Sequence, residues 1–257
     1  MGMSRSAWYR PPRDRMDRDR EVIDALSGLA SANGRWGFWK CFDRLRLDGK
    51  PWNHKRVWRV YTELRLNHTR RTKKRVPKRP LQPMTVLPLP NEVWSIDFMH
   101  DTLYVGKRFR TLNVLDEGVR EALEIEVDTS LSAARLVRVM ERLKDWRGLP
   151  KAIRCDNGAE LTSHRFTDWC RDNNVELRHI QPGKPNQNAY IERFNRSYRE
   201  EVLNAYLFED LDQVRAITQE WMETYNEVRP HDALGSLPPA IFRRMKTAEL
   251  SGFVLSP

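Results

Sequence analysis

The apolar positions of this chain change period near residue 90. Between Arg20 and Leu64 they recur every three or four residues: Val22, Leu26 and Leu29, then Phe38 or Trp39 with Phe42 and Leu45, then Val57, Val60, Tyr61 and Leu64. That spacing stacks side chains on one helical face and predicts three short helices. Asn33-Gly34 and Asp48-Gly49-Lys50-Pro51 punctuate them, and Asn53 is a natural N-cap for the third. A small helix-turn-helix-like bundle is expected over residues 19–69, behind a polar, poorly ordered lead-in at 1–18. Trp36, Trp39, Trp52 and Trp58 are expected to fill its small core, since helical spacing accounts for most of them.

Residues 70–90 hold Pro77, Pro80, Pro83, Pro88 and Pro90, a density that blocks both helix and central strand and marks a linker. Beyond it the pattern shortens to strands: Val93–Phe98, Phe109–Leu115 and Ala122–Val127 are apolar or alternating runs. A helix follows over Leu131–Trp146, then a strand Ala152–Cys155, a helix His164–Asp172 and a strand Val175–Ile180. Two long helices, about Asn188–Leu207 and Leu211–Tyr225, come last. A three-strand meander feeding βαβ crossovers makes a mixed α/β sheet flanked by helices, the catalytic-core candidate at 91–230, with a tail at 231–257.

Charge sharpens this division. Of the 257 residues, the first 90 carry 22 Lys+Arg against 8 Asp+Glu, and the remainder carry 23 against 27. A strongly basic front on a slightly acidic body points to a polyanion partner. Lys55, Arg56 and Arg59 leave the apolar stripe of the third helix, where a helix laid against DNA needs cations, and Arg70, Arg71, Lys73, Lys74 and Arg75 open the basic linker. No run approaches the ~18 apolar residues of a membrane span, and no signal-peptide order opens the chain. Three widely spaced cysteines, Cys41, Cys155 and Cys170, argue against a disulfide framework, so a cytoplasmic protein is expected.

Three acids stand out by placement. Asp97 interrupts the first strand of the core, Asp156 closes the fourth, and Glu192 lies one turn into the helix after the last. A buried, unpaired Asp is costly and calls for a partner such as a metal. Three converging carboxylates repel one another unless divalent cations lie between them, and an all-oxygen set suits Mg²⁺ or Mn²⁺. Two such ions ~3.5–4 Å apart can activate an attacking oxygen and stabilise a leaving one in phosphoryl transfer. Spacing alone would be weak among 35 acids; the positions at strand ends and helix start carry the argument. Arg196 and Arg199 share the Glu192 face and would point cations at a bound phosphate, while Asn188 could bond substrate or cap the helix.

At these residues the chain resembles the DDE transposase and retroviral-integrase superfamily, and most of all the second reading frame (ORF B) of the IS-three family of insertion sequences. Thirty-five residues separate Asp156 from Glu192, as in the D,D-35-E signature. Trp94–Asp101, Asp156–Glu160 and QPGKPNQNAYIERFNRSY at 181–198 are similar to the catalytic blocks, and YNEVRPHDALGSLPPAIF at 225–242 to the C-terminal signature. Arg35-Trp36-Gly37 stands where an Arg-Tyr-Gly is usual, and Ala159 and Leu161 where Pro and Phe are common. The resemblance implies a ribonuclease-H-like core in which Asp97, Asp156 and Glu192 are catalytic and hold two Mg²⁺ (or Mn²⁺) ions for DNA 3′-end cleavage and strand transfer. It implies DNA as partner, both terminal inverted repeats and target, with Lys184 joining the contacts named above. It implies an ORF A protein or an ORF A–ORF B fusion as partner, a homo-oligomer on DNA, no membrane, and a place at the bacterial nucleoid. No heptad zipper and no zinc-binding His-His-Cys-Cys set are visible. The competing expectations are a nuclease that only hydrolyses and a DNA-binding regulator with inert carboxylates.

Overall fold

The computed structural model describes residues 15–68, 87–181 and 185–254. The chain forms two compact units, Met1–Arg75 and Val76–Pro257.

Among its described residues the first unit holds three helices, α1 (Arg15–Ala32), α2 (Phe38–Leu47) and α3 (His54–Glu63), packed around Val22, Leu26, Trp36, Phe38, Leu45, Val57 and Val60. Helix α1 reaches back to Arg15, into the stretch expected as lead-in. Asp17 in its first turn suits the positive end of the helix dipole and pairs with Arg20 at 3.2 Å. Asn53 caps α3, its side chain accepting from the Lys55 N–H at 2.9 Å. The tryptophans divide: Trp36 is buried at 4% exposure, but Trp39 and Trp58 are 60% and 47% exposed. Phe38 takes the inward position beside Trp39, and Val57 the one beside Trp58, so the expectation that these two rings fill the core is corrected.

The second unit is a five-stranded sheet in the order β3-β2-β1-β4-β5. Strands β1 (Val93–Thr102), β2 (Arg108–Asp116) and β3 (Glu121–Asp128) form an antiparallel meander, and β4 (Ala152–Cys155) and β5 (Glu176–His179) add in parallel beyond β1. Side-chain alternation sends Trp94 and Ile96 to one face, under α4 (Ala133–Arg147) and α5 (His164–Asp172). Met99, Ile125 and Val127 face the opposite side, under α6 (Ala189–Tyr198) and α7 (Leu211–Glu223). Ser132 and Ser163 cap α4 and α5.

Two endings differ from expectation. Helix α6 gives way at Arg199 to a wider π turn through Leu203 instead of running on to Leu207. The segment expected as a tail carries a further helix, α8 (Pro239–Val254), opened by a proline in the one helical position where its missing N–H costs nothing. Arg243 of α8 pairs with Glu121 at 3.0 Å and Arg244 with Glu227 at 3.0 Å, which ties the helix to the sheet unit.

Candidate active site

Asp97 lies in the middle of β1, bonded to strands on both sides, on the face that α6 covers. The β1–β4 register pairs Ser95 with Arg154, and continuing it by two residues brings Asp97 level with Asp156 just past the end of β4. Neighbours at one level of a parallel pair point to the same face. Ser95 and Arg154 obey this, both reaching Glu117. The register thus runs toward the two aspartates, and Asp97 feels the Asp156 charge.

The chain around Asp156 turns sharply. Its Oδ1 accepts from the Gly158 N–H at 2.9 Å, and a Cβ at Gly158 would sit 3.0 Å from that same oxygen, so a side chain there would crowd the carboxylate. His179 at the end of β5 holds the Asp156 carbonyl through Nδ1 at 3.0 Å, and Asn157 donates to the Ile180 carbonyl at 3.2 Å.

Helix α6 is fixed over β1 by an amide chain. Asn113, opposite Asp97 on β2, donates from Nδ2 to Asn195 Oδ1 at 2.7 Å, and Asn195 donates from its own Nδ2 to Asp97 Oδ2 at 2.7 Å. The first bond sets which way round the Asn195 amide lies, so its NH₂ meets the carboxylate. Asn113 is wholly buried and Asn195 nearly so. The other Asp97 oxygen, Oδ1, accepts from the Phe98 N–H at 2.8 Å. Each oxygen keeps lone-pair capacity toward the open side.

Burial pushes the Asp97 carboxyl up to about 6; the Phe98 N–H opposes this, and the negative charges of Asp156 and Glu192 add to it. Asp97 thus feels both of the other acids. They are not drawn into a closed cage: among the described residues no group of three or more His, Cys, Asp or Glu side chains gathers tightly enough to hold a metal ion. Glu192 is exposed, and makes no hydrogen bond or ion pair among the described residues. The donor chemistry suits a divalent cation all the same, being carboxylate oxygens whose mutual repulsion such an ion relieves.

The other expected contacts fall in different places. Arg196 is exposed and carries no ion pair among the described residues. Arg199 is engaged, its guanidinium donating to Asp101 Oδ2 at 2.9 Å and to the His100 carbonyl at 2.8 Å, so it ties α6 to β1. Asn188 is buried, and among the described residues it forms no side-chain cap and its Oδ1 has no partner. In the first unit Lys55 is exposed, whereas Arg56 and Arg59 turn to Asp19 of α1 at 2.7 and 2.5 Å. Arg70, Arg71, Lys73, Lys74, Arg75 and Lys184 lie outside the described residues.

Two stretches of the chain, residues 88–185 and 173–239, match the family described as "Integrase core domain". The 31.7 kDa protein of insertion element IS407 from Burkholderia multivorans is 40% identical over 94% of this chain and 87% of its own length. The 39.2 kDa protein of insertion element IS476 from Xanthomonas euvesicatoria is 37% identical over 94% of this chain and 69% of its own. This chain belongs to the insertion-sequence transposases of the integrase superfamily. The fold agrees: the catalytic core domain of HTLV-2 integrase, a structure described as a magnesium complex in trimeric form, superposes with a TM-score of 0.51 at 17% identity, covering 62% of this chain and 99% of that one. The expected ribonuclease-H-like mixed sheet is thereby confirmed as the fold of the second unit. No described helix is long and apolar enough to cross a membrane.

Sequence reasoning missed Asn195, Asn113 and His179. Asn195 had a usable signal, three residues after Glu192 and so on the same helical face; Asn113 had one as a lone amide in the apolar run Leu112–Leu115. Nothing in the sequence pairs His179 with the Asp156 carbonyl.

Proposed function

We propose that this chain is the catalytic subunit of insertion-sequence transposition, of the IS-three type. It cuts DNA at the 3′ ends of the element and joins those ends to target DNA. The observation that supports the proposal is a carboxyl buried in the first core strand, Asp97, whose pKa is raised by burial and further by the charges of both Asp156 and Glu192.

Asp97, Asp156 and Glu192 would hold Mg²⁺ or Mn²⁺, two ions in all; bound there, the metal supplies positive charge to the attacking and leaving oxygens of the phosphodiester. In cleavage a water oxygen attacks phosphorus and the bond to the 3′ oxygen breaks, leaving a free 3′-hydroxyl. In joining, that hydroxyl attacks a target phosphorus and displaces the target 3′ oxygen, which leaves as a hydroxyl. No covalent enzyme intermediate is required. The Asn113–Asn195 amide chain fixes the direction in which Asp97 presents its oxygens. Exposed Arg196 offers charge to the substrate backbone, together with Lys55, Lys184 and the basic residues from Arg70 to Arg75. The chain works as a homo-oligomer on DNA, with an ORF A protein or fusion supplying end recognition.

The test supplies a pre-cut 3′-hydroxyl end, target duplex and Mg²⁺. A joined product is expected from the wild type, and none from Asp97→Asn or Asp156→Asn, both retaining DNA binding. Cleavage without joining would leave a hydrolytic nuclease. Variants that match the wild type in every activity would leave a regulator with inert carboxylates.

A further inference from the structure

The first unit carries an exposed aromatic surface that its core does not use. Along α2, Trp39, Phe42 and Arg46 follow one helical stripe, and along α3 His54, Lys55 and Trp58 follow another. The rings are braced against each other. Trp39 meets the His54 ring at 6.3 Å in a stacked arrangement and Phe42 edge-on at 6.0 Å. Trp58 meets Phe38 edge-on at 4.7 Å and lies parallel to Tyr61 at 6.1 Å. Two tryptophans held this way keep large faces in solvent at little further loss of side-chain freedom.

Along α2, α3 and the turns that follow them, the exposed charge left without an ion pair among the described residues is positive. Asp48 is held by Arg44, and Glu63 by Arg59. Arg46, Lys50, Lys55 and Arg65 are exposed and make no ion pair among the described residues, and Lys50 lies 5.4 Å from the Trp52 ring. Meanwhile Asp19, 3% exposed, occupies Arg56 and Arg59, the cations that a recognition helix would have pressed on a duplex. The face left to a ligand is thus aromatic and cationic. Such surfaces take nucleic-acid strands whose bases are unpaired, with rings stacking on bases and cations following phosphates.

We propose that the α2–α3 face binds an unpaired DNA strand, with Trp39 and Trp58 as stacking platforms and Lys55 and Arg46 as phosphate contacts. This rests on the reading that the protein acts on DNA, and it assigns the first unit a strand rather than a duplex groove. A frayed or displaced strand beside a cut end has the required chemistry.

The experiment uses the full chain and two labelled probes, an oligothymidylate of about 15 nucleotides and a blunt duplex of about 25 base pairs, read by fluorescence anisotropy at low and moderate salt. Trp58→Ala and Trp39→Ala are expected to weaken oligothymidylate binding roughly five- to a hundred-fold each. Trp58→Phe is expected to recover most of the loss, and Lys55→Glu to weaken binding and flatten its salt dependence. Duplex affinity should change less than about twofold in Trp58→Ala. Circular dichroism checks that each variant keeps its helices; Lys55→Glu, wholly on the surface, keeps the test decisive if a tryptophan variant does not fold. The proposal is overturned if the tryptophan and lysine variants bind oligothymidylate like the wild type. It is also overturned if Trp58→Ala alters only the mass in light scattering, which would make the face a protein contact. Because strand transfer is assayed separately, its failure in the wild type would sink the catalytic reading and leave this result standing.

Discussion

Replacing Asp97 by Asn should destroy catalysis and make the metal-free protein more stable. The carboxyl's pKa stands at about 6 against an ordinary 3.8, chiefly through burial, with Asp156 and Glu192 adding to it. Roughly two pH units at 1.36 kcal/mol each put the cost of ionising Asp97 in the folded state at ~3 kcal/mol near neutral pH. The amide recovers only part of this. An Asn at 97 can accept from the Phe98 N–H, but its NH₂ then faces the NH₂ of Asn195, whose orientation Asn113 fixes. One mismatched bond of that kind costs ~1 kcal/mol, leaving a net gain of ~1–2 kcal/mol.

The sign with pH is the reverse of a salt-bridged carboxylate's. Between about pH 4 and pH 6 the folded protein keeps a proton at Asp97 that the unfolded chain has released, so the contribution of Asp97 to stability falls as pH rises through this window and levels off above it. The advantage of Asp97→Asn should therefore be absent near pH 4, grow up to about pH 6 and stay constant beyond. Urea denaturation in chelator, followed by circular dichroism at several pH values, measures it. A variant less stable than the wild type at neutral pH, or a difference that does not vary with pH, would refute the reasoning.

Three further outcomes are expected. Asn195→Ala removes a donor from Asp97 Oδ2 and should lower strand-transfer turnover roughly 10–100-fold with little change in DNA affinity, as loss of a ligand-orienting partner does; turnover against binding under saturating DNA separates the two. Asp19→Asn leaves Arg56 and Arg59 without their counter-charge and should destabilise the first unit by about 1–3 kcal/mol, the half-exposed arginines tempering the loss. Burial alone would raise the Asp19 pKa, but the hydrogen bonds and charges of Arg56 and Arg59 lower it, so this contribution should fade as pH falls through the acid range. Gly118→Ala should fail to fold or melt far lower, because the added Cβ would meet the Leu89 carbonyl oxygen at 2.0 Å; solubility and thermal melting check it.

The sheet was legible because alternation is a local property. Val93–Phe98 shows it within a few residues, Phe109–Leu115 and Ala152–Cys155 are short, largely apolar runs, and the structure has strands at all three. The fate of neighbouring aromatics was not legible. At Phe38-Trp39 and Val57-Trp58 helical period narrows the choice to two adjacent positions, and only the packing of the three helices on one another selects the smaller side chain. Helix α8 was hidden by Pro238-Pro239, which reads equally as a break and as a helix start. The carboxylates could be picked out because an acid in or beside an apolar strand is conspicuous. The groups that orient them could not be paired: Asn195 is 98 residues from Asp97 and 82 from Asn113, and Asp19 is 37 and 40 from its two arginines.

The two bolts on α6, Asn195 to Asp97 and Arg199 to Asp101, leave the helix little room to slide along the sheet. If Glu192 joins the aspartates as proposed, its approach must then come from rotation about its own side-chain bonds. Reach at that position is a matter of length, and an aspartate there, one methylene shorter, would find no compensating backbone travel.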